Sequence, residues 1–397
     1  MPRVLRIINR FNLGGPTYNA SYLTKYMSPG FHTLLVGGIK DESEENSEFI
    51  LRNLGIIPVI IPEMHRSINP IQDAIAIKKI KEIIREFKPD IVHTHASKAG
   101  ALGRRAAYIM NVPVILHTFH GHIFDAYFSG LKSKLYQCIE RKLAEKSTKI
   151  IALSEQQKYD LVIKYKICPE HKIEIIPLGF DLDKFENNMD VKRTQFRNEY
   201  LLDDDEIAIG IIGRVVPVKN HPLFINAIKY VISRSNKKIR AFIVGDGVDR
   251  AKIERMCHDL SLSYVDFRYN KIKADVTFTS WLKDIDYVDA GMDIITLTSL
   301  NEGTPVSLIE AQAAGKPIVS TNVGGIENII IPNETAWLAD VKKPDDFCNK
   351  LLMLVQNDEL RIKYNQKSRD FVKNKFSYLR LVNDMQNLYH KLLTVTK

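Results

Sequence analysis

The chain has 397 residues, 45% hydrophobic and 26% charged, with a formal net charge of +9. That length is a prior for two or three domains, and the composition is that of globular material with sizeable cores, which excludes a disordered or low-complexity chain. No apolar run approaches ~18 residues, so no span of a membrane is expected, and no dense Lys/Arg block with interleaved aromatics appears, so nucleic acid explains the charge less well than an anionic membrane surface or anionic small substrates.

Cys138, Cys168, Cys257 and Cys348 form no C-x-x-C pair and read as free thiols of a reducing compartment. Residues 1–10 enter a strand with charges inside it and lack a signal-peptide core, so a cytoplasmic protein is expected, with the inner face of the cell membrane left open.

Val4 to Ile8 reads as a short buried strand. It opens onto N-L-G-G-P-T, residues 12–17, and a helix follows to about Met27. Paired glycines at such a turn let backbone approach a ligand. A tight turn with positive φ explains them equally well. Thr33–Val36 and Val59–Ile61 read as strands, and residues 41–53 as a charged helix. Isoleucines at 75, 77, 80, 83 and 84 carry helical spacing over 74–87, Pro89 breaks it, and Ile91-Val92 begins a strand. That strand runs into H-T-H-A-S-K-A-G-A-L-G-R-R, residues 93–105, the last part helical and rich in small residues. Val114–His117 runs into T-F-H-G-H-I-F, residues 118–124. Lys149–Leu153 is a strand ending at Ser154, a cap for a helix over 156–165, and Ile173–Ile176 closes the half. This alternation argues a parallel, doubly wound sheet.

The pattern restarts at Ile207–Ile212, which ends in Gly213-Arg214, and a helix follows Lys219 to Pro222. Arg240–Val244 ends in G-D-G-V-D-R, where Arg250 replaces the third glycine of a dinucleotide fingerprint, so it reads as a plain strand-to-helix turn. Residues 260–278 are irregular and their strands are not placed. Ile294–Leu297 is a buried strand, and S-L-N-E-G-T-P-V-S-L-I-E-A-Q-A-A-G-K-P-I-V-S-T-N-V-G-G, residues 299–325, reads as loop, short helix, turn, strand and loop. Thr304 is expected to cap that helix with Pro305 at its first position, and Gly315 to end it. Residues 345–355 and 359–373 read as helices and 376–397 as a last amphipathic helix.

Glu302 lies before the short helix and Glu310 on it. Amides of Gly303, Thr304 and Val306 at the helix start would favour a phosphate, and the two acids could grip a sugar and a ribose. By spacing alone, a capped surface helix with ordinary exposed acids fits as well. Arg214 and Lys219 share a loop in which a fork and a movable point charge can neutralise a diphosphate. Two solvated loop cations are the ordinary alternative. His93, His95, His117, His120 and His122 crowd two loops. A metal site lacks Cys or Glu-x-x-His company. His93, His95 and His117 read as core imidazoles at strand ends, and His120 lies before Gly121 in a loop. Neither Asp181-Leu182-Asp183 nor Asp284-Ile285-Asp286 sits in a credible metal-diphosphate setting, so no metal and no cofactor are expected.

Residues 95–150 hold nine Lys/Arg against three acids, beside Phe124, Tyr127, Phe128, Leu131, Leu135 and Ile139 at helical spacing. A core-facing stripe and the interface of an anionic membrane both fit. Lys98, Arg104 and Phe124 are the candidate binding residues of this stretch.

The run from Glu302 to Val319, with Glu302-x7-Glu310 inside E-G-T-P-V-S-L-I-E-A-x-A-A-G-K-P-I-V, resembles the donor-site motif of retaining family-four glycosyltransferases (glycosyl transferases group 1 type). G-R-x-x-x-x-K at 213–219 matches as well, and so does I-P-x-G-x-D at 176–181, with Leu178 replacing the usual Asn. The resemblance covers most of the chain. It implies the GT-B fold, two Rossmann-like doubly wound domains facing across a cleft: 1–180 on the acceptor side, 181–375 binding a nucleotide-sugar donor, and 376–397 crossing back as a helix.

The resemblance also implies roles. Arg214 and Lys219 would clamp the diphosphate, with Glu302 and His120 orienting the sugar. Gly15, Gly213, Gly303, Thr304, Pro305, Val306 and Glu310 would complete the donor site, and backbone around Trp281 to Lys283 would grip the base. The expected activity is metal-independent transfer from a UDP-sugar, with retention, to a glycan or polyprenyl-diphosphate-linked acceptor in cell-surface polysaccharide biosynthesis, by a protein peripheral to the inner membrane face. Two alternatives stay open. A nucleotide-sugar epimerase of the same frame would make an isomer without acceptor, and a non-catalytic nucleotide-sugar binder would turn nothing over.

Overall fold

The computed structural model describes residues 1–12, 15–39, 47–65, 67–120, 131–363 and 365–395. They form two compact units, Met1–Phe180 with Phe376–Lys397, and Asp181–Lys375.

The N-terminal unit alternates strand and helix: β1 (Arg3–Arg10), α1 (Gly15–Tyr26), β2 (His32–Gly38), α2 (Glu48–Asn53), β3 (Val59–Ile60), α3 (Pro70–Phe87), β4 (Ile91–His95), α4 (Ser97–Ile109), β5 (Val114–Thr118), α5 (Leu131–Glu145), β6 (Lys149–Ala152), α6 (Glu155–Tyr159) and β7 (Ile173–Ile175). The strands pair in parallel in the order β3-β2-β1-β4-β5-β6-β7. β4 and β5 are buried throughout, because helices cover both faces of a parallel sheet. Alternate residues feed two cores. Val4, Ile91, Val114 and Leu116 face one way, and Leu5, Ile7, Val92 and Ile115 face α3 and α4. The helix expected over 156–165 starts as α6, where Ser154 Oγ accepts from the Gln157 amide at 3.2 Å. It then widens into a π-turn over Asp160–Lys164, closed by Tyr165 N donating to Asp160 O at 2.8 Å.

The second unit runs α7 (Met189–Glu199), β8 (Glu206–Ile212), α8 (His221–Ile232), β9 (Lys238–Val244), α9 (Arg250–Asp259), β10 (Tyr264–Asp266), β11 (Val276–Ser280), α10 (Ile285–Gly291), β12 (Ile294–Leu297), α11 (Val306–Ala313), β13 (Ile318–Thr321), β14 (Trp337–Ala339), α12 (Pro344–Gln356), α13 (Asp358–Lys363) and α14 (Asn365–Phe376). Its parallel order is β10-β11-β9-β8-β12-β13-β14. The irregular stretch 260–278 thus supplies a short edge strand, and Asp266 at its end binds Arg250 and Arg268.

The last helix, α15 (Tyr378–Val395), belongs to the first unit. Its buried stripe of Leu381, Met385, Leu388, Tyr389 and Leu392 joins the core built on Val4, Leu23 and Phe31. Burying each such Leu or Met is worth ~1.5–3 kcal/mol, so the helix is an integral part of that core. Among the described residues no helix is long and apolar enough to cross a membrane.

Candidate functional site

In an open α/β sheet, ligands bind outside the carboxyl ends of the strands where the winding reverses. In the second sheet that point lies between β8 and β12. The β8 exit carries Gly213, at φ 151°, then Arg214, which is exposed. A short 3-10 turn over Pro217–Lys219 follows, and Asn220, in the left-handed region at φ 50°, turns the chain into α8. The β12 exit is stitched to this loop. Leu300 N donates to Val218 O at 2.8 Å, and Thr298 Oγ1 donates to Lys219 O at 2.8 Å.

Those bonds bring the side chains together. Lys219 Nζ stands 2.5 Å from Glu302 Oε1, with the two side chains 20% and 12% exposed. Ser299 Oγ donates to the same oxygen at 2.6 Å, and Thr321 Oγ1 at the end of β13 holds Ser299 O at 2.7 Å. The pairing of Lys219 with Glu302 and the part of Ser299 were not expected from the sequence, since 83 residues separate the two charges.

Glycines let a third loop close over the second. Gly325 N donates to Glu302 O at 3.0 Å. A Cβ on Gly324, whose φ is 56°, would lie 1.9 Å from Glu302 O, and one on Gly325 would lie 2.0 Å from Gly303 O. Gly303 has nothing within 4 Å of its own Cβ position. The V-G-G that closes 299–325 is therefore part of the site. It carried the same signal as the glycine pair after β1, a strand exit of residues without Cβ.

Helix α11 starts at Val306, with Pro305 at the cap position and no side-chain cap bond. Thr304 thus does not cap it, a correction to the expectation: Pro305 stands at the N-cap and not at the first helical position. Its first turn carries no acidic residue, so its free amides keep their preference for an external anion. Glu310, one turn further along and half-buried, has its carboxyl pushed up to about 7 by burial, with Lys184 opposing and Asp286 adding to the shift. Below it, Asp289 on α10 is fully buried and raised well above the carboxylate range by burial and then by Glu310. Neither Asp289 oxygen has a hydrogen-bond partner among the described residues. The Lys316 amine, lowered to about 8 chiefly by burial, donates to Ala290 O and Met292 O at 3.0 and 2.9 Å.

The switch point of the first sheet, between β1 and β4, is filled differently. Arg6 and His93 are fully buried there and both meet Tyr389 Oη, at 3.1 and 2.6 Å. His93 Nε2 also meets Thr118 Oγ1 at 2.8 Å. His117 lies on the opposite face, 2.9 Å from Thr94 Oγ1. These imidazoles are core groups whose partners are side chains, and burial first of all lowers all three of His93, His95 and His117 well below the usual range. His95 Nδ1 lies 3.0 Å from His120 Nε2, which leaves His120 Nδ1 without a partner among the described residues. Burial brings His120 down to about 3, so it is neutral at pH 7.

Gly15 opens α1 without a left-handed φ, and a Cβ there would meet Leu178 Cδ1 at 3.8 Å, an ordinary contact. A turn conformation therefore does not account for this glycine. Lys98 and Arg104 both have carboxylate partners. Arg104 is fully buried and paired with Glu140 at 2.6 Å. Lys98 is 12% exposed and paired with Asp73 at 2.6 Å. Both are occupied within their own unit. Phe124 and His122 lie outside the described residues. Among the described residues no group of three or more His, Cys, Asp or Glu is placed to hold a metal ion.

The chain is similar to known proteins along most of its length. Residues 192–371 match the family model of glycosyl transferases group 1, and residues 29–184 that of Glycosyltransferase Family 4. The UDP-Gal:alpha-D-GlcNAc-diphosphoundecaprenol alpha-1,3-galactosyltransferase of Escherichia coli is 31% identical over 333 residues, 83% of this chain and 82% of that one. The capsular polysaccharide biosynthesis glycosyltransferase CapM of Staphylococcus aureus is 24% identical, over 84% and 85% of the two chains. Among solved structures, a glycosyltransferase from Rickettsia africae ESF-5 superposes with a TM-score of 0.79 at 22% identity, covering 99% of this chain and 98% of that one. The Anabaena protein HepE in complex with UDP superposes at 0.78 and 15%, covering 98% and 100%. With the Glu302–Glu310 helix seated at the switch point of the second sheet and a 31% identical relative matched over four-fifths of both chains, this chain belongs to the family-four glycosyltransferases of the GT-B fold.

Proposed function

We propose that the chain transfers a sugar from a UDP-sugar to a hydroxyl of a polyprenyl-diphosphate-linked glycan, with retention and without a metal ion, in the making of a cell-surface polysaccharide. The observation that carries the reading is the Lys219–Glu302 pair in front of the uncapped start of α11. Arg214, Lys219 and the amides of Gly303, Thr304 and Val306, with Gly213 keeping the loop open beside Lys219, meet the diphosphate. They neutralise the charge that grows on it as the sugar leaves. Pro305 fixes the helix start. Glu310 accepts from the ribose. Both bonds to Glu302 converge on Oε1, so Oε2 is the atom assigned to a sugar hydroxyl. His120, neutral and oriented by His95, is assigned to another, and Gly15 to close backbone approach at the diphosphate. With no side chain assigned as nucleophile, the leaving phosphate takes the proton of the incoming hydroxyl on the same face of the sugar.

The acceptor and donor classes follow the Escherichia coli relative, whose name gives UDP-Gal and a diphosphoundecaprenol acceptor. A surface of the N-terminal unit supports attachment to an anionic membrane. Leu135 and Ile139 on α5 are 60% and 41% exposed, so the apolar stripe does not face the core there. Tyr108 and Ile109 on α4 are exposed too, and Lys146 lies over the Tyr108 ring at 4.9 Å. Arg105, Lys134 and Lys142 share the exposed surface of these two helices.

The test is turnover of a panel of UDP-sugars with and without a lipid-linked acceptor, in EDTA, with the anomeric configuration of the product read by NMR. An inverted product, a donor isomer formed without acceptor, or activity restored by a divalent ion each overturns its part. Sedimentation with anionic vesicles at low and high salt tests the membrane part. Absence of binding at low salt removes it.

A further inference from the structure

At the edge of the first sheet lies a cavity of about 750 Å³, lined chiefly by Phe11, Ile39, Leu51, Ile56, Ile57 and Ile60. Its size is that of a small-molecule site, roughly 300–1,000 Å³. It opens at the carboxyl ends of three neighbouring strands: Phe11 follows β1, Gly38 closes β2 and Ile60 closes β3. Ligands of open α/β sheets bind at that end.

The apolar groups here are not core. Ile57 is 91% exposed, Ile39 50% and Ile60 43%. Exposed aliphatic side chains gathered around one hollow mark a binding surface. Two cations stand at its edge. Arg52 lines it and is exposed. Lys25 Nζ comes within 3.7 Å of the Cβ position of Gly55, another lining residue. Among the described residues no carboxylate lines the cavity. An apolar bed edged by an ammonium and a guanidinium is complementary to an amphiphile with a hydrocarbon tail and a strongly anionic head.

We propose that this cavity holds the first units of an isoprenoid diphosphate, with the branched chain against Phe11, Leu51 and the isoleucines and the diphosphate against Arg52 and Lys25. The choice of an isoprenoid rests on the lipid-linked acceptor proposed above; the cavity and its charges do not.

The full chain, saturated with UDP, is titrated with farnesyl diphosphate by calorimetry. Binding is expected at micromolar concentration, with farnesol and inorganic diphosphate each weaker by about tenfold or more, the loss of one good contact set. Ile57→Glu and Arg52→Ala each weaken it about tenfold with no change in thermal midpoint, since both side chains are exposed. Undiminished binding in Ile57→Glu overturns the proposal. So does displacement by UDP, which would put the ligand in the nucleotide site, or an acyl phosphate of equal carbon number that binds as well. Sugar transfer is measured separately. A chain that binds farnesyl diphosphate as described yet transfers to no lipid-linked acceptor sinks the acceptor reading and leaves the isoprenoid site standing.

Discussion

Replacing Lys219 by methionine removes one charge and keeps most of the aliphatic stem. Two consequences separate cleanly. In the folded protein the change leaves Glu302, 12% exposed, without its cation, although Ser299 still donates to Oε1. The cost in stability should lie between the ~0.2–1 kcal/mol of an exposed pair and the ~3–5 of a buried pair broken on one side, so about 1–2. In the reaction, losing one preorganised donor to a developing oxyanion costs about a hundredfold in kcat, or ~2.7 kcal/mol. Thermal unfolding and initial rates with a UDP-sugar measure the two. Glu302→Gln and the double variant complete a cycle. If Lys219 acts on the diphosphate, the double variant falls well below Glu302→Gln alone. If it serves to hold Glu302, the double variant is no slower than that single one. A Lys219→Met enzyme with wild-type kcat and a raised KM would refute the transition-state role.

The Glu310 carboxyl is raised to about 7, so the folded state holds its proton more tightly than the unfolded one. Its contribution is present below the ordinary carboxylate pKa and is lost as pH rises through 7. Glu310→Gln should therefore gain thermal stability relative to wild type at pH 8 but not at pH 5, while binding UDP less well at both; equal midpoint differences at the two pH values would argue against the raised pKa. Gly324→Ala puts a Cβ 1.9 Å from Glu302 O at a φ of 56°; backbone strain of ~1–3 kcal/mol is expected, and UDP affinity should fall with it. A variant with wild-type stability and affinity would mean that the V-G-G loop does not position Glu302. Tyr389→Phe removes the hydroxyl that meets both Arg6 and His93. Leaving two buried polar groups short of a partner should cost about 1–3 kcal/mol, read as a lower midpoint in denaturant with an unchanged slope.

The strands at the centre of both sheets were legible because both their faces are buried. Ile294–Leu297 appears with the bounds that its apolar run suggests. β10 was not legible: it is three residues long, and its fixing partners, Arg250 and Arg268, look like surface charges in a sequence. Arg104 illustrates the same limit. α4 lies very close to the sheet because Gly100 and Gly103 have no Cβ; one on either would sit 2.4 Å from His117 or 2.6 Å from Thr94. That approach draws Arg104 inside, while Arg105, one residue on, stays exposed. The small residues were visible, but which face they would turn inward was not. The Glu302-x7-Glu310 motif placed the acids in the sequence, yet the cation that meets Glu302 and the glycines that cover it depend on how three strand exits converge, those of β8, β12 and β13.

The two switch points use one arrangement of strands for opposite electrostatics. At the second, loops after β8, β9, β12 and β13 approach through backbone, with Gly245 and Gly247 seated on Gly213 O and Val215 O as Gly324 and Gly325 are on Glu302 and Gly303. Backbone packed that closely leaves peptide dipoles beside the exposed Arg214 guanidinium and the Lys219 ammonium that Glu302 holds, a setting that suits an anion. At the first, the same position is filled with imidazoles whose burial keeps them neutral, and the charge of Arg6 is enclosed under Thr24 and Tyr389. If Arg214, Lys219 and the start of α11 form the proposed diphosphate site, the charge that binds a diphosphate and the charge that stabilises its departure are the same few groups, and variants at those positions are expected to weaken binding and turnover together.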